Sequence, residues 1–324
     1  MGGSMDQQAR QKYMALAVLV NGRNLNRAQF CATLRRISSI DDLLFVLDRI
    51  TDATALRRGL NVFVHHKDFT LRALFVILPK THYFDHGDLL GDALLRHKDF
   101  SQNNLCAFLE KASAEVVTHV LCHLAQDQRH QPLLINLFQS HLCNGYGQEI
   151  AAAIVCHPIP VEQLHELITE TVIMDTKLIF AVAAAQIEDL AVDVLRSFFR
   201  TIEGAELREV TFIDATHISA GETFLILLTE TEFEGTRKAC LQKLEQCPLS
   251  IATIEYWLRC AEQRGQSDAV NWFNLLLSRR YAHLSTPQLL DILIDLNNGD
   301  QRYMINSILA GRTDQLRAIA NIEQ

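Results

Sequence analysis

The pentapeptide HKDFT at positions 66–70 decides the fold, because it opens the apolar run LRALFVIL and recurs 31 residues later as HKDFS at 97–101, before QNNLCAFL. Each phrase ends in a hydroxyl residue, whose oxygen can accept hydrogen bonds from the free N–H groups of a helix's first turn. The aromatic residue just before this cap can pack onto the helix that follows. A helix start that recurs at a fixed distance predicts a repeated structural unit.

Similar openings continue along most of the chain. They fall near residues 36, 66, 97, 130, 157, 186, 217, 247 and 283. Each unit of about 30 residues holds two helix-length runs with apolar side chains at helical spacing. Proline near a unit start, as in His157-Pro158-Ile159-Pro160 and Cys247-Pro248, suits the first turn of a helix. We therefore predict an all-α protein, an α-solenoid of eight or nine stacked helical hairpins.

The composition agrees with a helical chain that buries a large core. Hydrophobic residues make up 48% of the 324 residues and charged residues 21%, while there are only 6 prolines and 14 glycines. Straight-chain residues lose little rotamer freedom in helices, and proline breaks them. No apolar stretch reaches the ~20 residues that a membrane span needs, so we predict no membrane span.

The domain organisation follows from the repeat. Residues 1–4 look like a cloning remnant, 5–36 are predicted to be N-terminal capping helices, 37–310 the repeat array, and 311–324 a C-terminal capping helix. The stretch 200–216 fits the pattern worst, since it is acidic and rich in β-branched residues. A helix is favoured there, and an extended segment over VTFIDA stays open.

The unit openings resemble those of a known class of repeat. His157-Pro158-Ile159-Pro160 with Leu164 and Leu167 downstream, the stretch Cys247–Ser250, and the stretch His97–Leu109 resemble HEAT-like and leucine-rich-variant repeats. The resemblance covers roughly residues 36–310. It implies an α-solenoid that binds macromolecules, and it carries over no catalytic residue.

The eight cysteines contain no CxxC pair, and six lie within or at the ends of apolar helical runs. Buried cysteines of this kind behave as small hydrophobic residues, which favours a reduced setting over a disulfide framework. No signal peptide is seen at the start of the sequence. We expect a cytoplasmic protein, or one that acts in a host cytosol if it is a secreted effector.

The charge is unevenly distributed. Residues 160–235 contain 15 acidic residues against four basic ones, within a chain of net charge −8. This excess of negative charge indicates either a solvated surface or a surface that recognises a basic partner. In the second case the charge would mainly determine the association rate and the specificity of binding. The predicted partner-binding residues are Glu203, Glu206, Glu209, Asp214, Glu222, Glu230, Glu232 and Glu234.

Basic residues recur at the unit boundaries of the N-terminal half. They are Arg35, Arg36, Arg57, Arg58, Lys67, Arg72, Arg96 and Lys98. Aligned by stacking, they would form a ridge, and phosphate contacts dominate nucleic-acid affinity. A nucleic-acid-binding protein of HEAT-like type is therefore an alternative. Asp68 and Asp99 beside the lysines, and a net charge of only +2 for residues 1–150, favour locally compensated charge instead.

Two histidine clusters suggest a metal-dependent enzyme as another alternative. His119-x-x-Cys122-His123 places three ligand types on one helical face, with His130, His141 and Cys143 further along. His82-x-x-Asp85-His86-x-Asp88 lies in a glycine-containing loop and offers metal ligands or an acid–base pair. A Cys–His pair at Cys122-His123 or Cys156-His157 lacks a third orienting group. Each cluster also has a simpler interpretation. Asp85 or Asp88 would cap the next helix, and the polar side chains of 119–123 would meet solvent from a half-buried helix.

No dinucleotide fingerprint, P-loop or zinc-protease motif occurs in the sequence. We therefore expect no cofactor and no enzymatic activity. The favoured hypothesis is a protein-interaction scaffold or adaptor that binds a protein or peptide with a basic patch. A bacterial effector acting on host proteins is compatible with it.

Overall fold

The computed structural model describes residues 11, 13–14, 27–83, 87–140, 144–296 and 299–322. Over these ranges the chain is 76% helical and has no strand, which confirms the all-α prediction. The chain divides into two compact units, Met1–Ile159 (unit 1) and Pro160–Gln324 (unit 2). This division lies inside the segment predicted to be one array.

Unit 1 contains nine α-helices among its described residues. They are α1 (Arg27–Arg35), α2 (Ile40–Leu47), α3 (Ala53–Val64), α4 (Leu71–Ile77), α5 (Gly87–Leu95), α6 (Gln102–Leu109), α7 (Ala114–Ala125), α8 (Gln131–Gln139) and α9 (Gly147–Ile154). Short 3-10 turns cover Leu78–Tyr83, Gln128–His130 and Asn144–Tyr146. The odd-numbered helices pack side by side in sequence order, from α1 against α3 to α7 against α9.

Unit 2 contains ten α-helices among its described residues. They are α10 (Val161–Glu170), α11 (Met174–Ala185), α12 (Val192–Arg200), α13 (Glu206–Ala215), α14 (Gly221–Glu230), α15 (Glu234–Gln246), α16 (Ile251–Gln263), α17 (Ser267–His283), α18 (Thr286–Asp295) and α19 (Gly299–Ile322). Here too the odd-numbered helices pack in order, α11 on α13, α13 on α15, α15 on α17 and α17 on α19. We call these five helices, α11, α13, α15, α17 and α19, the odd row of unit 2.

The predicted openings fall in or beside breaks between helices, and the repeated phrase works as a helix cap. Thr70 Oγ1 accepts from the Ala73 N–H (3.2 Å), and Ser101 Oγ accepts from the Asn104 N–H (3.3 Å). The histidine that begins each phrase also has a backbone role, since His97 Nδ1 accepts from the Asp99 N–H (3.1 Å). In the same way, His66 Nδ1 accepts from the Asp68 N–H, and His217 Nδ1 accepts from the Ser219 N–H. The repeated phrase thus has a structural role, which is to cap the helix that follows it.

Prolines in these breaks leave carbonyls that a side chain of a neighbouring helix must satisfy. The Leu244 carbonyl would normally receive an N–H from residue 248, but Pro248 has none. Arg280 of α17 donates to it instead (2.6 Å), and also to the Cys247 carbonyl (2.6 Å). In unit 1, the Ile154 carbonyl would normally receive the N–H of residue 158, which is also a proline. The Gln131 side chain donates to this carbonyl instead.

The odd-row helices of unit 2 run parallel, so that their starts form one edge and their ends another. At the starts, the Gly235 N–H donates to Glu206 Oε1 (2.5 Å), which joins α15 to α13. At the ends, the His217 N–H donates to the Ala185 carbonyl (3.0 Å), which joins the turn after α13 to α11. We call the turns before the starts, 171–173, 201–205, 231–233 and 264–266, the N edge. The turns 186–191, 216–220 and 247–250 form the C edge.

The doubtful stretch at 200–216 is helical from Glu206 to Ala215, since α13 includes all of VTFIDA. Its Phe212 and Ile213 are fully buried, and Phe212 meets Phe199 of α12 edge to face. Packing of these side chains outweighs the low helix propensity of β-branched residues, which is worth only tenths of a kcal/mol per residue.

The C-terminal prediction needs a correction. Residues 311–322 do not form a separate capping helix, because α19 runs without a break from Gly299 to Ile322. The predicted boundary between 310 and 311 fails because the single glycine there, Gly311, costs a helix only about 1 kcal/mol and no proline follows it. At the other end, the predicted caps at 5–36 lie largely outside the described residues, and α1 covers their last part.

Candidate functional site

The structure separates the eight predicted acidic residues into three groups. Five lie at or beside the N edge, namely Glu203, Glu206, Glu230, Glu232 and Glu234. Asp214 and Glu222 lie at the C edge, and Asp214 is eight residues beyond Glu206, or about 12 Å along α13 at 1.5 Å per residue. All seven are exposed. The predicted acidic patch is therefore two separate patches, of which the one at the N edge is larger.

Glu209 does not belong to any surface patch, which corrects its place among the candidates. Its side chain is 3% exposed. Oε2 accepts from the buried Thr231 hydroxyl (2.6 Å), and Oε1 accepts from the Gly204 N–H (3.1 Å). Gly204 has a φ of 90°, a left-handed conformation that glycine adopts without strain. Glu209 thus ties two N-edge turns together from inside.

Three N-edge carboxylates are engaged by neighbouring groups. Glu230 pairs with Arg196 of α12, Glu234 pairs with Lys238 (2.6 Å), and Glu206 receives the Gly235 N–H. The Lys238 ammonium, by its hydrogen bond, holds the pKa of Glu234 below its usual value. Glu206 and Glu234 also begin helices, where negative charge compensates the helix dipole. These residues have structural reasons to be acidic.

Glu203 and Glu232 have no such reason. Both are exposed, both lie in turns rather than in helices, and their carboxylates make no hydrogen bond or ion pair within the described residues. The nearby cations are used elsewhere, because Arg208 donates to the Ile202 carbonyl (3.1 Å) and Arg237 donates to the Thr231 carbonyl (2.9 Å). The N edge therefore carries uncompensated negative charge at these two residues.

Exposed apolar side chains lie on the same edge, and the sequence did not reveal them. Val172 is 89% exposed, Ile173 is 53% exposed and Leu207 is 79% exposed. The apolar pattern predicts a helix over 161–172 that includes Val172, but α10 ends at Glu170. The available signal was the run of β-branched residues 171–173 at a helix end. Leu207 lies two residues before buried Glu209, so the usual placement of apolar and charged residues is inverted here.

The basic ridge predicted for the N-terminal half is interrupted. Arg57 pairs with Asp88 (3.1 Å) and Arg96 pairs with Asp92 (3.4 Å), so both are locally compensated. Arg35, Arg36, Lys67, Arg72 and Lys98 are exposed. The first three meet at one cleft, which is described below.

The histidine clusters do not assemble into a site within the part of the chain that the structure describes. There, no group of three or more His, Cys, Asp or Glu side chains is arranged to hold a metal ion. His119 Nε2 lies 3.4 Å from Asp92 Oδ1, and Cys122 is exposed. The side chains of His82, Asp85 and His86, with those of His141 and Cys143, lie outside the described residues. Asp88 is described, and it binds Arg57.

The seven described cysteines are free thiols, and their environments predict a graded reactivity. Cys122 and Cys156 are exposed, whereas Cys106, Cys240 and Cys247 are buried. Burial raises the pKa of Cys240 and of Cys247, so the nucleophilic thiolate is scarcer there. We expect iodoacetamide at about pH 8 to modify the exposed pair in the native protein and to spare the buried three. Peptide mass spectrometry measures this, and Cys240 reacting as fast as Cys122 would contradict the packing of α15.

No protein-family model matches the chain, and neither a curated protein nor a solved structure matches it. The resemblance to HEAT-like repeats thus remains a prediction. Among the described residues, no helix is both long enough and apolar enough to cross a membrane.

Proposed function

We propose that the protein is a non-enzymatic scaffold or adaptor, and that the N edge of unit 2 binds a basic segment of a partner protein. The observation that carries this proposal is the exposure of Val172, in the turn before α11, and of Leu207, in the first turn of α13. Both lie on the edge that carries Glu203 and Glu232, whose carboxylates have no partner among the described residues. Apolar anchors bordered by charge are the usual composition of a protein-binding surface.

The apolar and the charged side chains of this surface contribute to binding in different ways. Covering apolar surface contributes about 25 cal/mol per Å², so the exposed side chains supply affinity once a partner removes them from water. The carboxylates supply little net affinity but speed association with a positively charged partner and disfavour acidic ones. The preferred partner segment is therefore one that combines Lys or Arg with large apolar side chains.

The repeated packing supports a solenoid as the scaffold in each unit. Odd-numbered helices pack in order within unit 1 and again within unit 2, and in unit 2 they run parallel. Such stacking aligns equivalent turns along one edge, which gives an extended partner a row of sites. The free thiols fit a reducing compartment, the cytosol or, for a secreted effector, the host cytosol.

A peptide library displayed on phage, selected on the full-length protein, tests the proposal. We expect wild type to enrich basic peptides that contain apolar residues. The double variant Glu203→Lys with Glu232→Lys reverses the charge at the two unpaired N-edge carboxylates and should lose this enrichment. Its matched control, Asp214→Lys with Glu222→Lys, makes the same charge change at the C edge and should keep it. Equal loss in both variants would indicate unspecific attraction to a negative protein and would refute a site at the N edge.

A further inference from the structure

A basic cleft lies in unit 1, at the ends of α1 and α3. Its volume is about 680 Å³, within the range of ~300–1,000 Å³ typical of small-ligand sites. The charged and titratable residues that line it are Arg35, Arg36, His65, His66 and Lys67. No carboxylate is among its described lining residues.

His66 fixes the shape of this cleft. Its Nε2–H donates to the Ile37 carbonyl (3.0 Å), which joins the turn after α3 to the turn after α1. Its Nδ1 accepts from the Asp68 N–H (3.2 Å), so the two bonds together fix the orientation of the ring. The walls that carry Arg36 and Lys67 are thereby held in position before any ligand binds.

The two arginines and the lysine of the cleft differ from other basic residues of the molecule in their contacts. Arg35, Arg36 and Lys67 are exposed and make no hydrogen bond or ion pair to the described residues. Near the ends of the odd-row helices in unit 2, by contrast, Lys243 donates to the Asp214 carbonyl (2.6 Å) and Arg280 donates to the Leu244 carbonyl. Those cations stabilise the fold, while the three in the cleft are free to meet an anion.

We propose that this cleft binds a small phosphate ester, with Arg35, Arg36 and Lys67 as the phosphate ligands. A phosphate monoester carries about two negative charges at neutral pH and three acceptor oxygens, which suits a cleft lined by three cations better than a single carboxylate does. Guanidinium groups bind phosphate through two parallel hydrogen bonds. Two other basic residues of the predicted ridge, Arg57 and Arg96, are neutralised by Asp88 and Asp92, so the ridge is interrupted outside the cleft. A compact anion therefore fits better than a long nucleic acid.

Isothermal titration of the full-length protein with pyrophosphate tests this site. We expect saturable binding of one pyrophosphate per chain in wild type, weakened about tenfold or more in the variant Arg35→Ala with Arg36→Ala. Lys67→Ala is a second, independent variant with the same expected direction. The control Arg72→Ala with Lys98→Ala removes the same charge at exposed sites outside the cleft and should bind as wild type does.

Two results would overturn the proposal. One is pyrophosphate affinity that falls equally in the cleft and control variants, or in neither, provided circular dichroism shows that all variants fold. The other is a single-stranded oligonucleotide that binds more tightly than pyrophosphate and is weakened as much by the control as by the cleft variant. That outcome would show an extended nucleic-acid surface. Neither result bears on the N edge, which lies in unit 2.

Discussion

Replacing Arg280 with Ala is expected to lower the free energy of unfolding of unit 2 by about 3 kcal/mol. The guanidinium donates to the carbonyls of Leu244 and Cys247, both at 2.6 Å. Because Pro248 has no N–H, the Leu244 carbonyl loses its donor when the arginine is removed. Arg280→Lys keeps the charge but not the forked donor geometry, so we expect an intermediate loss.

The adjacent Arg279 provides the matched control. It is exposed and pairs with Glu245 at the surface, an interaction worth about 0–1 kcal/mol. Both tryptophans, Trp257 and Trp272, lie in unit 2, so urea unfolding followed by tryptophan fluorescence reports on this unit. Equal losses for Arg279→Ala and Arg280→Ala would show that the carbonyl contacts do not stabilise the unit.

Replacing Glu209 with Ala should also cost about 3 kcal/mol. The substitution leaves the buried Thr231 hydroxyl without its acceptor, at about 1–3 kcal/mol, and also removes the hydrogen bond from the N–H of the exposed residue Gly204, worth about 1 kcal/mol. Glu209→Gln retains one acceptor oxygen and should restore part of the loss. The same fluorescence-detected urea titration measures it, since the residue lies in unit 2.

Glu203→Ala is the control for this second prediction. Glu203 is exposed and its carboxylate has no partner among the described residues, so the change should lie within about 0.5 kcal/mol of wild type. If Glu203→Ala destabilised the unit as much as Glu209→Ala, the assignment of one residue to the interior and the other to the surface would be wrong.

The fold was predictable from the sequence to the extent that local chemistry sets helix boundaries. Thr70 and Ser101 cap helices through their own hydroxyls, so their effect is readable from a few adjacent residues. Gly311 shows the limit of such signals. It resembles a stop, yet α19 continues through it because a lone glycine costs less than the helix gains by continuing.

The candidate site was much less predictable, because it depends on which side of a helix faces a neighbour. Glu209 and Leu207 both belong to α13, and hydropathy places the leucine inside and the glutamate outside, opposite to the structure. Only the neighbouring turns, with Thr231 and Gly204, provide a reason to bury the carboxylate. Natural proteins depart from local rules most often at functional sites, which is consistent with a role for Leu207 at the N edge.

Hydrogen–deuterium exchange of the full-length protein, with and without a basic peptide enriched on it, tests the central claim most directly. The account predicts slower exchange at the N-edge turns 171–173, 201–205 and 231–233 when the peptide binds. The C-edge turn 216–220 should exchange at the same rate with and without peptide. Protection confined to the C edge, or to unit 1, would contradict a partner site on the N edge of unit 2.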